Sequence, residues 1–387
     1  MAYIAIARIP KWEKRRRKIF SLLLIKKMEI LKQVLGVDVA QKELVVTLGK
    51  MDASLEVELY AYAVFENNLS GFKKLESWMK KLTNAKVKLQ IVMEATGVYH
   101  EKFAYFLDDI GYNISIILPN KISSFFRTLD QKTINDKSCS EAIARFGLGR
   151  KLENWKKPNE VYKCLQQLTR ERDQIVDERV SVKNMLHAEN SEANPNANSI
   201  KRMKARIQFL TKQESQIKIE LSAFAKKDKK LQEDIKILTS IPGVAELTAL
   251  IVLGETNGFE LIRNKKQIVS YAGLDVKEKQ SGTSVKGKPR ISKRGNRSLR
   301  KAMYFPAIVS VKHNPVHTAL YARLLAKSGI KMKGLVAVQR KILELMYLLY
   351  KKQEYYDPKY EKSVMENPMH ALQASSMAAL ECEDIKI

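Results

Sequence analysis

The chain has 387 residues, of which 45% are hydrophobic, and its 69 Lys and Arg outnumber 42 Asp and Glu for a net charge of +27. This length allows two or three domains with a substantial core, and the apolar fraction excludes a disordered basic tail. The excess of base predicts a nucleic-acid-binding protein, with a ribosomal-type or membrane-surface protein as the alternative.

Cysteine and histidine usage gives no metal or disulfide pattern. Cys139, Cys164 and Cys382 have neither pairing nor metal-binding spacing, and the five histidines are scattered. A reducing, cytosolic compartment is the simplest interpretation. No apolar run reaches the length of a membrane span, so we expect no membrane partner.

The first 27 residues form a separate segment. A basic stretch at 14–18 precedes a short apolar run at 19–25, but no small-residue cleavage site follows. We interpret residues 1–27 as a non-functional N-terminal extension, with the working protein starting near Met28.

Residues 28–155 alternate between strand and helix patterns. Periodicity and β-branched runs predict strands at 34–39, 44–48, 55–65, 87–93 and 114–118, and helices at 69–82, 98–110, 122–129 and 139–147. Three antiparallel strands followed by alternating helices and strands indicate an α/β domain with a mixed sheet.

Residues 156–237 have the pattern of a coiled-coil helical arm. A heptad seam runs from Val161 to Leu186, an Asn- and Pro-rich segment at 187–199 breaks the helix, and a second seam runs from Ile200 to Leu238. Ten of the twelve positions in the second seam are apolar, which is typical of a coiled coil. The pattern fits an intramolecular helical hairpin and an intermolecular bundle equally well.

Residues 238–350 form a third, mainly helical domain, followed by a weakly patterned tail at 351–387. The domain opens with Ser240-Ile241-Pro242-Gly243-Val244 ahead of a helix at 245–254. Backbone N–H groups around Gly243 at a helix start are suited to contact a phosphate. An ordinary helix start with proline in its first turn is an equal alternative.

Three carboxylates stand at the ends of elements in the α/β domain. Asp38 and Glu94 end two neighbouring strands, and Asp136 opens a helix. Carboxylates placed in this way can converge on one sheet edge, where two Mg²⁺ ions would activate an attacking oxygen and stabilise a leaving one. Strand-end acids without a ligand are the alternative, and Asp136 in particular could cap its helix.

A basic segment in the last domain is suited to a polyanion. Eight of the sixteen residues at 286–301 are Lys or Arg and none is acidic. A flexible Ser281-Gly282 step precedes it, so a hydroxyl nucleophile would be presented beside a phosphate backbone. The predicted nucleic-acid contacts are Gly243, Lys286, Lys288, Arg290, Lys293, Arg294, Arg297, Arg300 and Lys301. Tyr271 and Tyr304 are candidates for base stacking, although core packing is the more common role.

Several of these motifs resemble a known family. Gly36-Val37-Asp38-Val39-Ala40, Glu94-Ala95-Thr96-Gly97-Val98-Tyr99 and Asn135-Asp136-Lys137 resemble the N-terminal domain of the insertion-sequence one-ten family of transposases, related to the Piv DNA invertases. Ser240 to Val244, Tyr271-Ala272-Gly273-Leu274, Gln280-Ser281-Gly282 and Ile291 to Asn296 resemble its C-terminal transposase domain. The resemblance covers about residues 30–355 in the family's order.

The resemblance implies a RuvC-like, ribonuclease-H-like fold whose four acids bind divalent metal, Mg²⁺ or Mn²⁺. It also implies a C-terminal serine that joins covalently to DNA. By motif position, Asp38, Glu94 and Asp136 match the first three acids and Ser281 matches the serine, with Ser284 as a second candidate. In some members a structured RNA from the element pairs with donor and target DNA, so a guide RNA is a possible partner.

The fourth acid of the family pattern is replaced by Cys139. A neutral thiol is a poor ligand for Mg²⁺. We do not expect Glu141 to substitute for it, because two helical steps of about 100° place it on another face. The replacement therefore predicts either a weakened or inactive enzyme or one in which a single metal ion suffices.

These observations leave three functional hypotheses. The first is a DNA transposase or recombinase that cuts and rejoins strands, the second a non-catalytic nucleic-acid-binding descendant, and the third a junction-resolving nuclease that forms no covalent adduct. The seam predicts a homo-oligomer, a dimer or a tetramer. No segment has the pattern of a recognition helix with a base code.

Overall fold

The structure, a computed structural model, describes residues 29–95, 97–129, 133–278, 280–282, 285–287 and 289–358. The predicted N-terminal extension and most of the tail lie outside these ranges. The chain divides into two compact units, residues 1–157 and 158–387. Within the described ranges, no helix combines the length and the apolar character that crossing a bilayer needs.

The first unit is built on one five-stranded mixed sheet. Its strands are β1 (Ile30–Val39), β2 (Glu43–Asp52), β3 (Val57–Glu66), β4 (Leu89–Glu94) and β5 (Asn113–Ile117), in the order β3-β2-β1-β4-β5. β1, β2 and β3 pair antiparallel, whereas β4 and β5 run parallel to β1. This order and these directions are those of the ribonuclease-H-like fold, so the predicted fold class is confirmed.

Four helices cover the two faces of this sheet. They are α1 (Leu69–Leu82), α2 (Glu101–Asp109), α3 (Pro119–Phe126) and α4 (Asp136–Leu148). Leu35 and Val37 of β1 pack in a core with Phe72 of α1 and Phe103 of α2. Side chains alternate along a strand, so Val34 enters a second core on the opposite face, with α3 and α4.

Most boundaries in the first unit differ by a few residues from the sequence prediction, and for two of them the local hydrogen bonds give the reason. β1 begins at Ile30 because its polar residues have partners: the Gln33 amide donates to the Asn84 and Val87 carbonyls, both at 2.9 Å. α4 begins at Asp136, three residues before the predicted start, because Asn135 and Ser138 form a reciprocal capping box.

The second unit begins with a long helical hairpin. α5 (Glu160–Asn190) and α6 (Ala197–Ala225) pack antiparallel, with Arg172 and Arg179 of α5 bound to Glu214 of α6. The intramolecular alternative is thus the one that this chain adopts by itself. Burial along the hairpin decreases outward, because Val182 is the only fully buried residue of α5 beyond Thr169.

The remainder of the second unit is mainly helical, as predicted. Its helices are α7 (Lys229–Thr239), α8 (Glu246–Thr256), α9 (Lys265–Tyr271), α10 (Arg297–Ala302), α11 (Tyr304–His313), α12 (Pro315–Ser328) and α13 (Lys331–Lys352). Leu165 of α5 and Leu221 of α6 share one core with these helices. The base of the hairpin and the C-terminal helices therefore form one hydrophobic core, with no division at 237.

Candidate active site

Asp38 and Glu94 lie side by side at the ends of parallel strands. Val37 pairs with Met93 in the β1–β4 register, so the next residues along both strands are the two acids. Val37 and Met93 belong to the core under α1 and α2. Because side chains alternate, both carboxylates point to the opposite face, which α4 covers.

Gly36 brings α4 close enough to this strand end to place a third acid there. A Cβ on Gly36 would overlap the backbone of Ser140 and Ala144, and a Cβ on Gly147 would overlap Val34 and Val92. Helix and strand therefore run antiparallel in direct contact. Asp136, one turn before Ser140, lies at the strand end beyond Gly36.

The acids act on one another electrostatically. Burial, and then the negative charges of Glu94 and Asp136, raise the pKa of Asp38 to about 6. Burial and the same three acids raise the pKa of the Cys139 thiol to about 11. The three predicted acids and the cysteine thus share one local field.

Asp136 does not cap its own helix, contrary to the alternative considered from the sequence. The Asn135 side chain accepts from the Ser138 N–H, and Asp136 is the first helical residue, exposed to solvent. Because the helix begins at 136, Cys139 and Glu141 point away from one another, as expected. The Glu141 carboxylate lies 4.0 Å from the Lys137 ammonium.

Asp38, Glu94, Asp136 and Cys139 together form an acidic centre. Three of these four side chains are of a type that binds a hard divalent ion. Carboxylate oxygens of Asp38, Glu94 and Asp136 are suitable ligands, whereas the protonated Cys139 thiol is not. Across the described residues, no three His, Cys, Asp or Glu side chains come close enough together to hold an ion. The side chains share a field without converging on a common point.

Ser281 lies in a small exposed β-ribbon of the second unit. β6 (Val276–Lys277) pairs with β9 (Arg290–Ile291), and β7 (Gln280–Ser281) pairs with β8 (Val285–Lys286). Ser281 is exposed, and Gly282 adopts a φ of +54° with open space around it. The backbone conformation at Gly282 favours glycine, and the Ser281 side chain is open to solvent.

The predicted cations fall into two groups. Arg290, Lys293, Arg294 and Arg297 are exposed. Arg300 donates to the Ala272 carbonyl at 2.7 Å, and Lys301 pairs with Asp177 at 2.7 Å. Only the backbone is described for Lys286, and Lys288 and Ser284 lie outside the described residues. The first group is thus available to an anion, whereas Arg300 and Lys301 already have intramolecular partners.

Gly243 and Tyr271 have packing roles in the structure. Gly243 has a φ of +96°, and a Cβ there would meet the Pro306 carbonyl and the Ser310 nitrogen of α11. The Tyr271 hydroxyl donates to the Glu255 carbonyl at 2.9 Å. A nucleic-acid contact by Gly243 stays a prediction, and Tyr271 follows the core-packing alternative.

A buried carboxylate that the sequence did not single out organises the region below the ribbon. Glu255 of α8 is fully buried and accepts two hydrogen bonds from Arg170, at 2.7 and 2.8 Å. It also accepts from the amide of Asn296, the N-cap of α10, at 2.6 Å. No local pattern marks this network, because Arg170 lies 85 residues from Glu255.

Comparison with known proteins agrees with the motifs. A sequence model described as transposase, for the DEDD domain of the IS110 group, matches residues 35–194, and one described as "Transposase IS116/IS110/IS902 family" matches residues 235–322. The match to a DEDD domain implies dependence on a divalent metal.

The chain also resembles individual proteins, at lower levels of sequence identity. The chain is 27% identical over 301 residues to the pilin gene-inverting protein of Moraxella lacunata, covering 76% of this chain and 89% of the relative. It is 30% identical over 142 residues to the transposase for insertion sequence element IS1111A of Coxiella burnetii, covering 35% and 37%.

Among solved structures, Thermus thermophilus RuvC with a Holliday junction substrate matches 30% of this chain and 97% of its own, with 10% identity and a TM-score of 0.23. At that similarity the fold assignment rests on the strand order of the sheet.

The two family matches follow the order of the motifs along the chain. The chain therefore belongs to the IS116/IS110/IS902 family of transposases, enzymes of DNA transposition or recombination.

Proposed function

We propose that this transposase cuts and rejoins DNA strands with Ser281 as its nucleophile and with a metal-binding centre made of Asp38, Glu94 and Asp136. The observation that supports the proposal is the contact between Gly36 and α4, because it brings the start of that helix toward the strand end that carries Asp38 and Glu94. The exposure of Ser281, and of Arg290, Arg294 and Arg297 that follow it in the sequence, supports the second part.

The proposed strand exchange conserves the number of phosphodiester bonds. The Ser281 hydroxyl loses its proton, its Oγ bonds to a backbone phosphorus, and the bond from phosphorus to one sugar oxygen breaks. That oxygen takes up a proton, and a sugar hydroxyl from another strand later displaces the serine. A divalent ion, for which we propose Mg²⁺ or Mn²⁺, would activate attacking oxygens and stabilise leaving ones.

The chain's own residues prepare these steps. Asp38 is ionised above about pH 6, so metal binding should weaken as the pH falls through that value. Arg290, Lys293, Arg294 and Arg297 hold phosphates near Ser281. Arg300 instead donates to the Ala272 carbonyl, so we expect it to contribute less to DNA binding than the four exposed cations.

The decisive experiment is trapping of a covalent protein–DNA adduct. The full chain is incubated with labelled DNA from the ends of its element and Mn²⁺, then separated under denaturing conditions. Ser281→Ala should abolish the adduct, and Ser284→Ala should leave it unchanged. Loss of the adduct only in the Ser284 variant would identify Ser284 as the nucleophile instead. An unchanged adduct yield in both variants would refute a serine mechanism.

A second candidate function follows from Cys139. A chain with a weakened metal centre would bind nucleic acid without joining strands. Wild-type protein that binds DNA but forms no adduct, together with a Cys139→Asp variant that does, would favour this alternative. DNA hydrolysis without any adduct would favour the junction-resolving nuclease.

Two further parts of the proposal concern partners. We propose a homo-oligomer formed through the α5–α6 hairpin, supported by the sparse burial of its outer half. We also propose a guide RNA, supported by the family resemblance. Sedimentation of the purified chain tests the first, and sequencing of RNA that copurifies with it tests the second.

A further inference from the structure

A cavity of about 240 Å³ lies where α11, α12 and α13 meet. One face of α11 supplies Tyr304, Ile308 and Lys312, which are spaced four residues apart. Tyr321 of α12 and Lys331 at the start of α13 line it as well. The cavity therefore combines two aromatic rings and apolar walls with two cations. Its lining residues follow Ser281 in the sequence and do not include it.

The aromatic side of this cavity is open to solvent. Tyr304 is 37% exposed, and its neighbour Phe305 is 73% exposed. Their rings meet edge to face, with centroids 5.5 Å apart. Large aromatic side chains that are exposed next to one another are more common at interaction sites than on the rest of a protein surface.

The charge around the cavity selects the class of ligand. Residues 279–343, which include all of α11 and α12, contain no Asp or Glu. Neither Lys312 nor Lys331 forms an ion pair with any described residue. The ligand should therefore be anionic and should also carry a flat apolar group.

We propose that this cavity binds an unstacked nucleobase of a nucleic-acid strand, with Lys312 and Lys331 on the flanking phosphates. A base has a π-face for Tyr304 and a backbone charge on each side for the lysines. Inorganic phosphate has no ring to stack on Tyr304, and a peptide backbone carries no negative charge on each side of an aromatic side chain. The inference deepens the proposed function and rests on it, since it assigns a strand-holding site to the same enzyme.

The test uses the full chain and a single-stranded DNA oligonucleotide with one 2-aminopurine, compared with its RNA counterpart. Insertion of the base against Tyr304 should change the 2-aminopurine emission. Tyr304→Leu should remove that change and weaken binding roughly tenfold, whereas Tyr304→Phe, which keeps the ring, should retain both. The RNA arm shows whether the site distinguishes the sugar.

The lysines have a separate readout. Lys312→Gln and Lys331→Gln should each lower the slope of log affinity against log salt by about 0.7, the value for one phosphate contact on a single strand. Tyr304→Leu removes no charge, so it should leave that slope unchanged. A slope that falls in none of the lysine variants would contradict the phosphate contacts.

An abasic nucleotide provides the result that overturns the proposal. If wild-type protein binds the intact and abasic strands equally, no base enters the cavity. Photocrosslinking of a 5-iodouracil strand to wild-type protein keeps the test valid even where Tyr304→Leu misfolds, since a crosslink absent from α11 also overturns it. Ser281→Ala should keep base binding while losing the adduct, so failure of the mechanism and failure of this site are distinguishable.

Discussion

Cys139 stands where the family resemblance places the fourth acid of the metal site that we propose. It lies in the field of three acids, and its thiol stays protonated at neutral pH because burial and those acids raise its pKa to about 11. A protonated thiol adds no negative charge to repel Asp38. Compared with a fourth carboxylate, the cysteine therefore lowers the electrostatic repulsion among the acids of the metal-free site. It also leaves the proposed metal-bound site with one ligand fewer.

The substitution Cys139→Asp should reverse that balance. A fourth carboxylate should lower the melting temperature in EDTA, because repulsion with Asp38 grows, and should raise the stabilisation gained on adding Mn²⁺. Thermal unfolding with and without metal measures both effects. Cys139→Ser, which removes the thiol without adding charge, is the control, and equal metal responses in both variants would contradict the argument.

Asp38 predicts a pH dependence of the metal-free protein. Its pKa is raised to about 6 from 3.8, so the folded state retains a proton that the unfolded state has already lost. Stability should fall as the pH rises from about 4 to 6, by about 2 kcal/mol after discounting for solvent screening. Urea unfolding in EDTA at pH 4.5 and 7.5 measures the difference. Asp38→Asn should remove this part of it.

At the scale of one helix pair, Glu214 fixes how α5 and α6 pair. Burial alone would raise its pKa, but hydrogen bonds from Lys218, Arg172 and Arg179 lower it to about 2. The stabilisation is complete above pH 4.5 and is lost as the pH falls toward 2. Glu214→Gln leaves two arginines close together and should cost about 3 kcal/mol. Glu220→Gln, an exposed change on the same helix, is the matched control in chemical denaturation.

Contact between β1 and α4 gives an independent test of the acidic centre. Gly36→Ala should push the helix away from the strand, destabilise the first unit by about 2–4 kcal/mol and abolish metal binding. Trp78 and Trp155 report unfolding of this unit by fluorescence. Gly149→Ala, whose Cβ would meet nothing nearer than 3.6 Å, should change neither property.

How far the sequence predicts these elements depends on the range of the interactions. The strands of the first unit follow from local alternation, and the three acids from their positions at element ends. The Gly36–α4 contact spans over 100 residues and the Arg170–Glu255 pair spans 85, so neither leaves a local pattern. The two-residue strands around Ser281 are too short for any periodicity to predict.

For the whole molecule, the excess charge should make DNA binding strongly dependent on salt. Each phosphate contact contributes about 0.9 to the slope of log affinity against log salt on duplex DNA. Arg294→Gln and Arg297→Gln should each lower the slope by about that amount. Lys301→Gln should lower it less, because Asp177 already neutralises that ammonium. Anisotropy titrations at several salt concentrations decide, and equal slopes for all variants would contradict the division into free and paired cations.

The two ends of α4 have opposite partners. Lys32 of β1 donates to the carbonyl of Gly147 in the last turn and to that of Arg150 just beyond the helix, both at 2.5 Å. Asp136 stands in the first turn. A helix has a positive pole at its start, worth roughly half an elementary charge. Asp136 lies at that pole, and its charge acts on Asp38. The backbone thus supplies a permanent partial counter-charge near these acids, and this charge does not depend on a bound metal ion.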